Sequence, residues 1–333
     1  MRIVLLDYGY KVSKKKGRVV IYKEGEKVLE VAPGNITEFI VNSRGVGFSS
    51  DVISFLLRHR VRVYFVRREK LIGLLNPIYG GGNVKLRKRQ LELSMNGEAI
   101  SIAYRIVNAK IRSQRNLIAY FLRRYRRHEI VSIALEYIDL MDNVITSLGN
   151  LPSLDRDTLI KVEAKAARIY WGFWSSLLKS RYGFDSRRKR FESPKDPVNM
   201  ALNLQYTLLT ARVLTHLYVY GFDPYIGILH RDSPRRPALA MDVVEEFRVI
   251  AVDYPLMKHL LTDKPDPDGM SEGDRLSTNY KMKILKIFYE NLDRKITFKN
   301  RTLPLKDHID LQVIRLSKAL LSDPHSYTPL IFR

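Results

Sequence analysis

Four side chains able to hold a hard cation or to move a proton stand out in the chain: Glu163, His230, Asp242 and Glu245. Glu163 lies in a segment, residues 157–174, whose apolar positions Leu159, Val162, Ala166, Ile169 and Phe173 recur at helical steps and define a core stripe. Glu163, Ala167, Tyr170 and Trp174 form the neighbouring face. A carboxylate walled by Tyr and Trp is costly unless a salt bridge or a metal compensates it. His230 ends the segment that begins at Gly221, and Gly221, Pro224 and Gly227 shape its approach. Asp242 and Glu245, at i and i+3, share one helical face between the apolar segments 238–241 and 243–244.

Each residue also has an ordinary reading. Glu163 could pair with one of many basic residues, His230 could be a hydrogen-bonded core histidine, and Asp242 and Glu245 could serve a helix N-terminus. Taken together, one histidine and two or three carboxylates suit a hard-to-borderline divalent ion. The chain has no cysteine, so any metal site must use nitrogen and oxygen ligands.

The surroundings of these acids are basic. Lys and Arg number 57 against 35 Asp and Glu, a formal net charge of +22, which implies a polyanionic partner, nucleic acid first. Membrane association is not expected, because no stretch reaches the ~18 apolar residues of a spanning helix and the run at 3–6 is too short for a signal peptide. A reducing, cytoplasmic location fits the lack of cysteine. Charged residues at 28% and only four glutamines lean toward a thermophilic source.

Within a long helical stretch, Arg105, Arg112, Arg115, Arg123 and Arg126 fall within a stripe of roughly 80° opposite an apolar face of Ile102, Ile106, Val107, Leu117, Ile118 and Phe121. Such a stripe suits a duplex backbone. A second basic cluster follows the Glu163 helix and includes Arg187, Arg188 and Arg190. Behind His230, Arg235 and Arg236 stand in a Pro-containing loop suited to phosphate contact. No Walker loop, dinucleotide fingerprint, zinc finger, RNP motif or serine nucleophile elbow is present.

The elements that must position these groups divide the chain. Residues 1–75 read as short strands at 3–6, 19–23, 28–32, 36–41 and 61–66, interrupted by a helix over 51–59 with Ser50 as its N-cap. That spacing predicts a small antiparallel sandwich. Residues 76–83, with Pro77 and Gly80 to Gly82, read as a linker. Helices are predicted over 84–127 with a break near Asn96-Gly97, then 129–147, 157–180, 196–220, 242–261, 274–294 and 305–322. The acidic stretch 262–273 is a plain mobile loop, since Pro267 and Gly269 spoil a calcium-loop geometry. The class is therefore α+β: a β-rich domain over 1–75 followed by a larger all-α domain over 84–333.

Several strings resemble a known family. Glu163-Ala164, Tyr170-Trp171, Leu202-Asn203 with Tyr206, the segment from Gly221 to Gly227 with His230, and the segment from Asp242 to Arg248 are similar to the integrase of CRISPR spacer acquisition, the first of the numbered CRISPR-associated proteins. Tyr8-Gly9, residues 46–50 and residues 61–67 extend the likeness to most of the chain. It departs from the family at Met241, where an aromatic is common, and at Glu246, where proline often follows the acid. The resemblance implies an archaeal or thermophilic source and a metal-dependent DNA integrase and endonuclease acting by phosphodiester transesterification. It implies Glu163, His230 and Glu245 as ligands of Mg²⁺ or Mn²⁺, Asp242 as a ligand or a support, and Asn203, Tyr206 and Tyr170 as lesser supports. It also implies a homodimer, contacting through residues 1–75, that pairs with a dimer of the second CRISPR-associated protein and binds both the incoming DNA fragment and the CRISPR repeat. A general nuclease for branched DNA and a non-catalytic nucleic-acid scaffold are the other classes compatible with the residues.

Overall fold

A computed structural model describes residues 1–67, 70–75, 83–125, 128–188, 196–234 and 236–333. The chain forms two compact units, Met1–Gly80 and Gly81–Arg333. The α+β class holds, with a strand-rich N-terminal unit and a mainly helical C-terminal unit. Most of the expected linker, 76–82, lies outside the described residues.

The first unit contains β1 (Arg2–Leu5), β2 (Tyr10–Lys15), β3 (Arg18–Lys23), β4 (Glu26–Val31), β5 (Glu38–Val41), β6 (Gly47–Phe48), α1 (Ser50–Arg58), β7 (Arg62–Arg67) and β8 (Lys70–Leu75). They form two four-stranded sheets, ordered β4-β3-β2-β6 and β1-β5-β7-β8. Two hairpins link β2, β3 and β4 through Lys16-Gly17 and Glu24-Gly25. All four turn residues have positive φ, which matches the twist of two-residue hairpins.

The pairing is not purely antiparallel, as the sequence suggested. β1, β5 and β7 run parallel, and β2 pairs with β6 in parallel. The reason lies in β5: Glu38, Phe39, Ile40 and Val41 are all buried, so the strand is apolar without alternation, as a doubly covered parallel strand requires. Its one charge, Glu38, pairs with Arg2 directly across the β1–β5 register, 2.9 Å away. The return from β5 to β7 uses α1, whose Val52 and Leu56, one turn apart, enter the core with Phe39, Val41 and Val63. Ser49, one residue earlier than expected, caps α1 by accepting a hydrogen bond from Val52 N.

The second unit contains α2 (Val84–Asn96), α3 (Ile100–Arg124), α4 (His128–Gly149), α5 (Arg156–Tyr182), α6 (Pro197–Tyr220), α7 (Ala238–Glu245) and α8 (Tyr254–Thr262). Then come α9 (Pro267–Met270), β9 (Ser271–Glu272), β10 (Arg275–Leu276), α10 (Thr278–Asp293), β11 (Lys295–Phe298), β12 (Arg301–Pro304) and α11 (Leu305–Leu321). The break between α2 and α3 falls at Gly97, which takes a left-handed conformation at φ 78°. α5 starts at Asp155, whose side chain accepts from Thr158 N and Oγ1 and from Ser153; those bonds hold its carboxyl down at about 2. α6 is buried along most of its length, so its sequence lacks a polar face.

Three local expectations change. The helix predicted over 242–261 is instead α7, a break at Glu246-Phe247, a π-helical turn over Val249–Asp253, and α8. The stretch 262–273 holds α9 and β9 rather than a plain loop. The two short hairpins β9–β10 and β11–β12 interrupt the helical region, the second turning at Lys299-Asn300, both at positive φ. Among the described residues, no helix is long and apolar enough to cross a membrane.

Candidate active site

His230 is placed by a backbone cradle around Asp242. The Asp242 carboxylate, fully buried in α7, accepts hydrogen bonds from Ile228 N at 2.6 Å, Leu229 N at 3.0 Å and His230 N at 3.0 Å. It also contacts His230 Nδ1 at 2.6 Å. Three consecutive amides converging on one carboxylate need a tight approach of the chain, and Gly227 permits it. A Cβ there would meet His230 O at 2.2 Å and the Ala238 Cβ at 2.8 Å. Beside a carboxylate, Nδ1 carries the proton, which leaves Nε2 turned away from Asp242 with its lone pair available. Burial lowers the pKa of the imidazole, but the hydrogen bond and charge of Asp242, helped by Glu245 and Glu163, prevail and raise it.

Glu163 on α5 and Glu245 on α7 come together around a third residue, Lys110 of α3. The Lys110 ammonium donates a hydrogen bond to Glu163 Oε1 and lies 2.7 Å from Glu245 Oε2. Arg248 reaches Glu245 Oε1 at 3.1 Å. Burial raises the Glu245 pKa, yet Arg248, Lys110 and His230 outweigh it and bring the group to about 2. Burial likewise works against the Lys110 charge, and the two glutamates overcome it, raising its pKa. The Lys110 contact with Glu245 Oε2 is a close ion pair that helps hold the carboxylate ionised. That oxygen is buried, and the Lys110 ammonium is the cation beside it. Glu163 and Glu245 thus share the Lys110 ammonium, Arg248 pairs with Glu245, and Asp242 holds the imidazole.

A supporting layer stands behind Arg248. Its guanidinium lies over the Tyr206 ring, 4.9 Å from the centroid, and Arg187 lies over the same ring at 5.5 Å. The Tyr206 and Tyr170 hydroxyls both donate to Asp253, the latter at 2.8 Å. Burial dominates there and lifts the Asp253 carboxyl to about 6 despite those bonds. Asn199 and Asn203 hold the Arg187 guanidinium at 2.7 and 2.6 Å. Asn203, Tyr206 and Tyr170 therefore do line this region, acting through Arg187, Arg248 and Asp253.

The structure also separates the adjacent glutamates. Glu245 faces Lys110, whereas Glu246 points the other way, accepting from Gln312 Nε2 at 3.0 Å, Leu330 N at 3.3 Å and the Tyr327 hydroxyl. Burial lifts the Glu246 carboxyl to about 8, partly countered by those hydrogen bonds.

Sequence reasoning missed Lys110, and the signal was present. Ala103, Val107, Lys110, Gln114, Leu117 and Phe121 follow one another at three- and four-residue steps on α3, so the lysine sits on the buried stripe. Arg248 and Asp253 were missed as site residues because nothing local distinguishes them from other charges near an apolar run.

The predicted basic surface is partly realised. Arg112 and Arg123 are exposed and Arg105 is half-buried on α3. Arg115 is held by two hydrogen bonds to Asp142, at 3.0 and 2.9 Å. Arg112, Arg115 and Arg333 line a cleft of about 400 Å³ with Asn116, Asp142, Ile145 and Ile331. Arg187 turns inward to the site instead of outward, and Arg188 is half-buried, its backbone amide bonded to Asn199. Arg236 is exposed; Arg126, Arg190 and Arg235 lie outside the described residues.

A strand-rich unit followed in sequence by a helical unit, with Lys110 of α3, Glu163 of α5, Asp242 and Glu245 of α7 and His230 of the segment before α7 gathered together, defines an α+β class whose candidate chemistry resides in the helical unit. The family model described as CRISPR associated protein Cas1 matches residues 3–293, and the chain belongs to that family. It is 30% identical over 338 residues to a CRISPR-associated endonuclease Cas1 of Thermus thermophilus, covering 99% of this chain and 98% of that one. Its fold is shared by a casposase bound to integration product, with TM-score 0.84 and 22% identity over 100% of this chain and 95% of the other. A Cas6-RT-Cas1–Cas2 complex contains the same fold, with TM-score 0.80 and 20% identity over 99% of this chain and 36% of that one.

Proposed function

We propose that this chain is a metal-dependent DNA integrase and endonuclease that inserts short DNA fragments into CRISPR repeats by phosphodiester transesterification. The observation that carries the reading is the convergence of Glu163 of α5 and Glu245 of α7 on one buried cation, with His230 close enough for both carboxylates to act on its charge. Among the described residues no three histidine, aspartate or glutamate side chains stand together as a group that could hold a metal ion, and the Lys110 ammonium pairs with both glutamates. The donors nonetheless fit a divalent ion. They comprise two carboxylates already gathered around one cation and an imidazole nitrogen facing away from Asp242, a hard-to-borderline donor set. Glu163, His230 and Glu245 would hold Mg²⁺ or Mn²⁺.

Such an ion, when bound, polarises the scissile phosphate and lowers the pKa of the attacking hydroxyl. The protein's own residues do the rest. Asp242 fixes the His230 ring and its tautomer, so Nε2 presents a lone pair. Arg248 and Arg187, braced by Tyr206 and Asn203, supply fixed positive charge for a phosphodiester without reorganisation during the reaction. One P–O bond forms to the 3′-hydroxyl of the incoming fragment as another breaks in the repeat. Water in place of that hydroxyl gives cleavage at the same site. No covalent enzyme intermediate is needed.

The partners follow from the family: DNA, a second copy of this chain, and a dimer of the second CRISPR-associated protein, acting in the cytoplasm. The shared fold with the Cas1–Cas2 complex supports that pairing. One observation favours a rival, the non-catalytic scaffold, because Lys110 alone could account for the two glutamates as structural ion pairs. Enzymatic assay separates the two. Glu163→Gln, His230→Ala and Glu245→Gln should each abolish cleavage and strand transfer on repeat DNA while DNA binding persists, and EDTA should do the same. Full activity in EDTA, or in all three variants, rejects the metal mechanism.

A further inference from the structure

Lys110 is the least expected residue of the site. Its side chain is 6% exposed, and its ammonium lies between the two carboxylates that the reading above assigns to a metal. A lysine is rarely buried this deeply unless its charge is paired. Here it neutralises two acids that would otherwise repel one another in a poorly solvated space.

Three features mark it as a removable occupant rather than a fixed strut. It is an unbranched point charge on a flexible four-carbon stem, unlike the planar fork of an arginine. Its single ammonium bridges both carboxylates, reaching Glu163 Oε1 and lying 2.7 Å from Glu245 Oε2, so it fills the position between them instead of bracing either one alone. Glu245 is separately anchored through Oε1 by Arg248, at 3.1 Å, so the carboxylate keeps its position if Lys110 leaves. A divalent ion between Glu163 and Glu245 would occupy the volume the ammonium now fills. Both cannot be accommodated there, for steric reasons and because like charges this close repel strongly at low dielectric.

We propose that Lys110 is the built-in counter-cation of this centre. Its ammonium holds Glu163 and Glu245 in place when no metal is present, and a metal ion enters by displacing it. The proposal rests on the reading of Glu163, His230 and Glu245 as metal-binding residues.

The test is Mn²⁺ binding by calorimetry to the full-length protein, comparing wild type with Lys110→Met and Lys110→Gln. Both variants should bind Mn²⁺ at least ~10-fold more tightly, because no cation has to leave. They should also melt at lower temperature than wild type in EDTA and recover on adding Mn²⁺. A second measurement needs no variant. Reductive methylation of wild-type Lys110, followed by mass spectrometry, should be slow in EDTA and rise several-fold in saturating Mn²⁺. If both variants bind Mn²⁺ no more tightly than wild type, while Glu245→Gln weakens binding, Lys110 is a structural strut and the inference falls, though the metal reading stands. If the variants do not fold, Lys110 labelling unchanged by Mn²⁺ overturns the inference in the same way. If neither wild type nor the variants bind Mn²⁺, the metal reading fails and the inference with it.

Discussion

Replacing Asp242 by asparagine should separate folding from function at this site. All four hydrogen-bonding contacts of the buried carboxylate are occupied: Ile228 N and Leu229 N on Oδ2, and His230 N and Nδ1 on Oδ1. An asparagine must turn its amide nitrogen toward one of these pairs. Facing Ile228 and Leu229, it opposes two backbone donors that cannot adapt. Two charge-assisted bonds are then lost, at about 1.5–3 kcal/mol each. Facing His230, it opposes one backbone donor and one ring nitrogen, and the ring can adapt. The imidazole moves its proton to Nε2 and accepts at Nδ1, so only the His230 N bond is lost, at about 1.5–3 kcal/mol. The cheaper orientation is therefore the one that puts a proton on the nitrogen needed as a ligand. Against a net stability of roughly 5–15 kcal/mol, Asp242→Asn should fold with a modest loss in denaturant unfolding. Its Mn²⁺ affinity and strand-transfer rate should drop about 10–100-fold, as for other residues that orient a ligating histidine. Nitrogen NMR of the His230 ring should show the proton on Nε2 in the variant and on Nδ1 in wild type. Asp242→Ala, which strands three buried amides at about 1–3 kcal/mol each, should be far less stable. Wild-type metal affinity and rate in Asp242→Asn, with the tautomer unchanged, would refute the argument that Asp242 acts through the ring.

Binding to duplex DNA should be strongly salt-dependent, weakening ~10³–10⁵-fold between 50 and 200 mM salt if about six to ten phosphates are contacted, and a flat titration would contradict a basic docking face. Arg112→Glu should weaken binding across all sequences. Arg115→Glu should do so too, with an added stability cost from placing a second acid beside Asp142, readable as a lower melting temperature. Burial lifts the Glu246 carboxyl to about 8 in the folded state, whereas the unfolded chain releases the proton near the ordinary 4.5, so its contribution to stability falls as pH rises through that window. Glu246→Gln, with its oxygen kept for Gln312 Nε2 and Leu330 N and its amide turned to a Tyr327 hydroxyl that can accept, should flatten that fall and be at least as stable as wild type at pH 8; an unchanged slope in guanidinium unfolding between pH 5 and 8 would count against it. Sedimentation over a concentration series should show a dimer, with contacts through residues 1–75; a monomer persisting at tens of micromolar with full two-ended integration would show that the partner or the DNA alone sets the spacing of the two sites.

Much of the architecture is written in local patterns. The strand and helix segments, the break at Gly97 and the helical phase of Glu163 and Glu245 follow from periodicity and capping, which depend on neighbours a few residues away. The same local logic explains its errors. The parallel order of β1, β5 and β7 was not legible, because short strands joined by short connections read as hairpins, and only packing reveals that β5 is covered on both faces. The four candidate site residues could be named from their types, spacing and family likeness. Their electrostatic partners could not. Lys110 meets Glu163 across 53 residues, Tyr170 meets Asp253 across 83, and Arg187 turns from the expected surface toward Tyr206. Sequence determined which residues could carry charge into the helical core. The tertiary structure decided which opposite charge each one met there, because a buried charge takes its partner from whatever element packs against it, and that packing is set through space rather than along the chain.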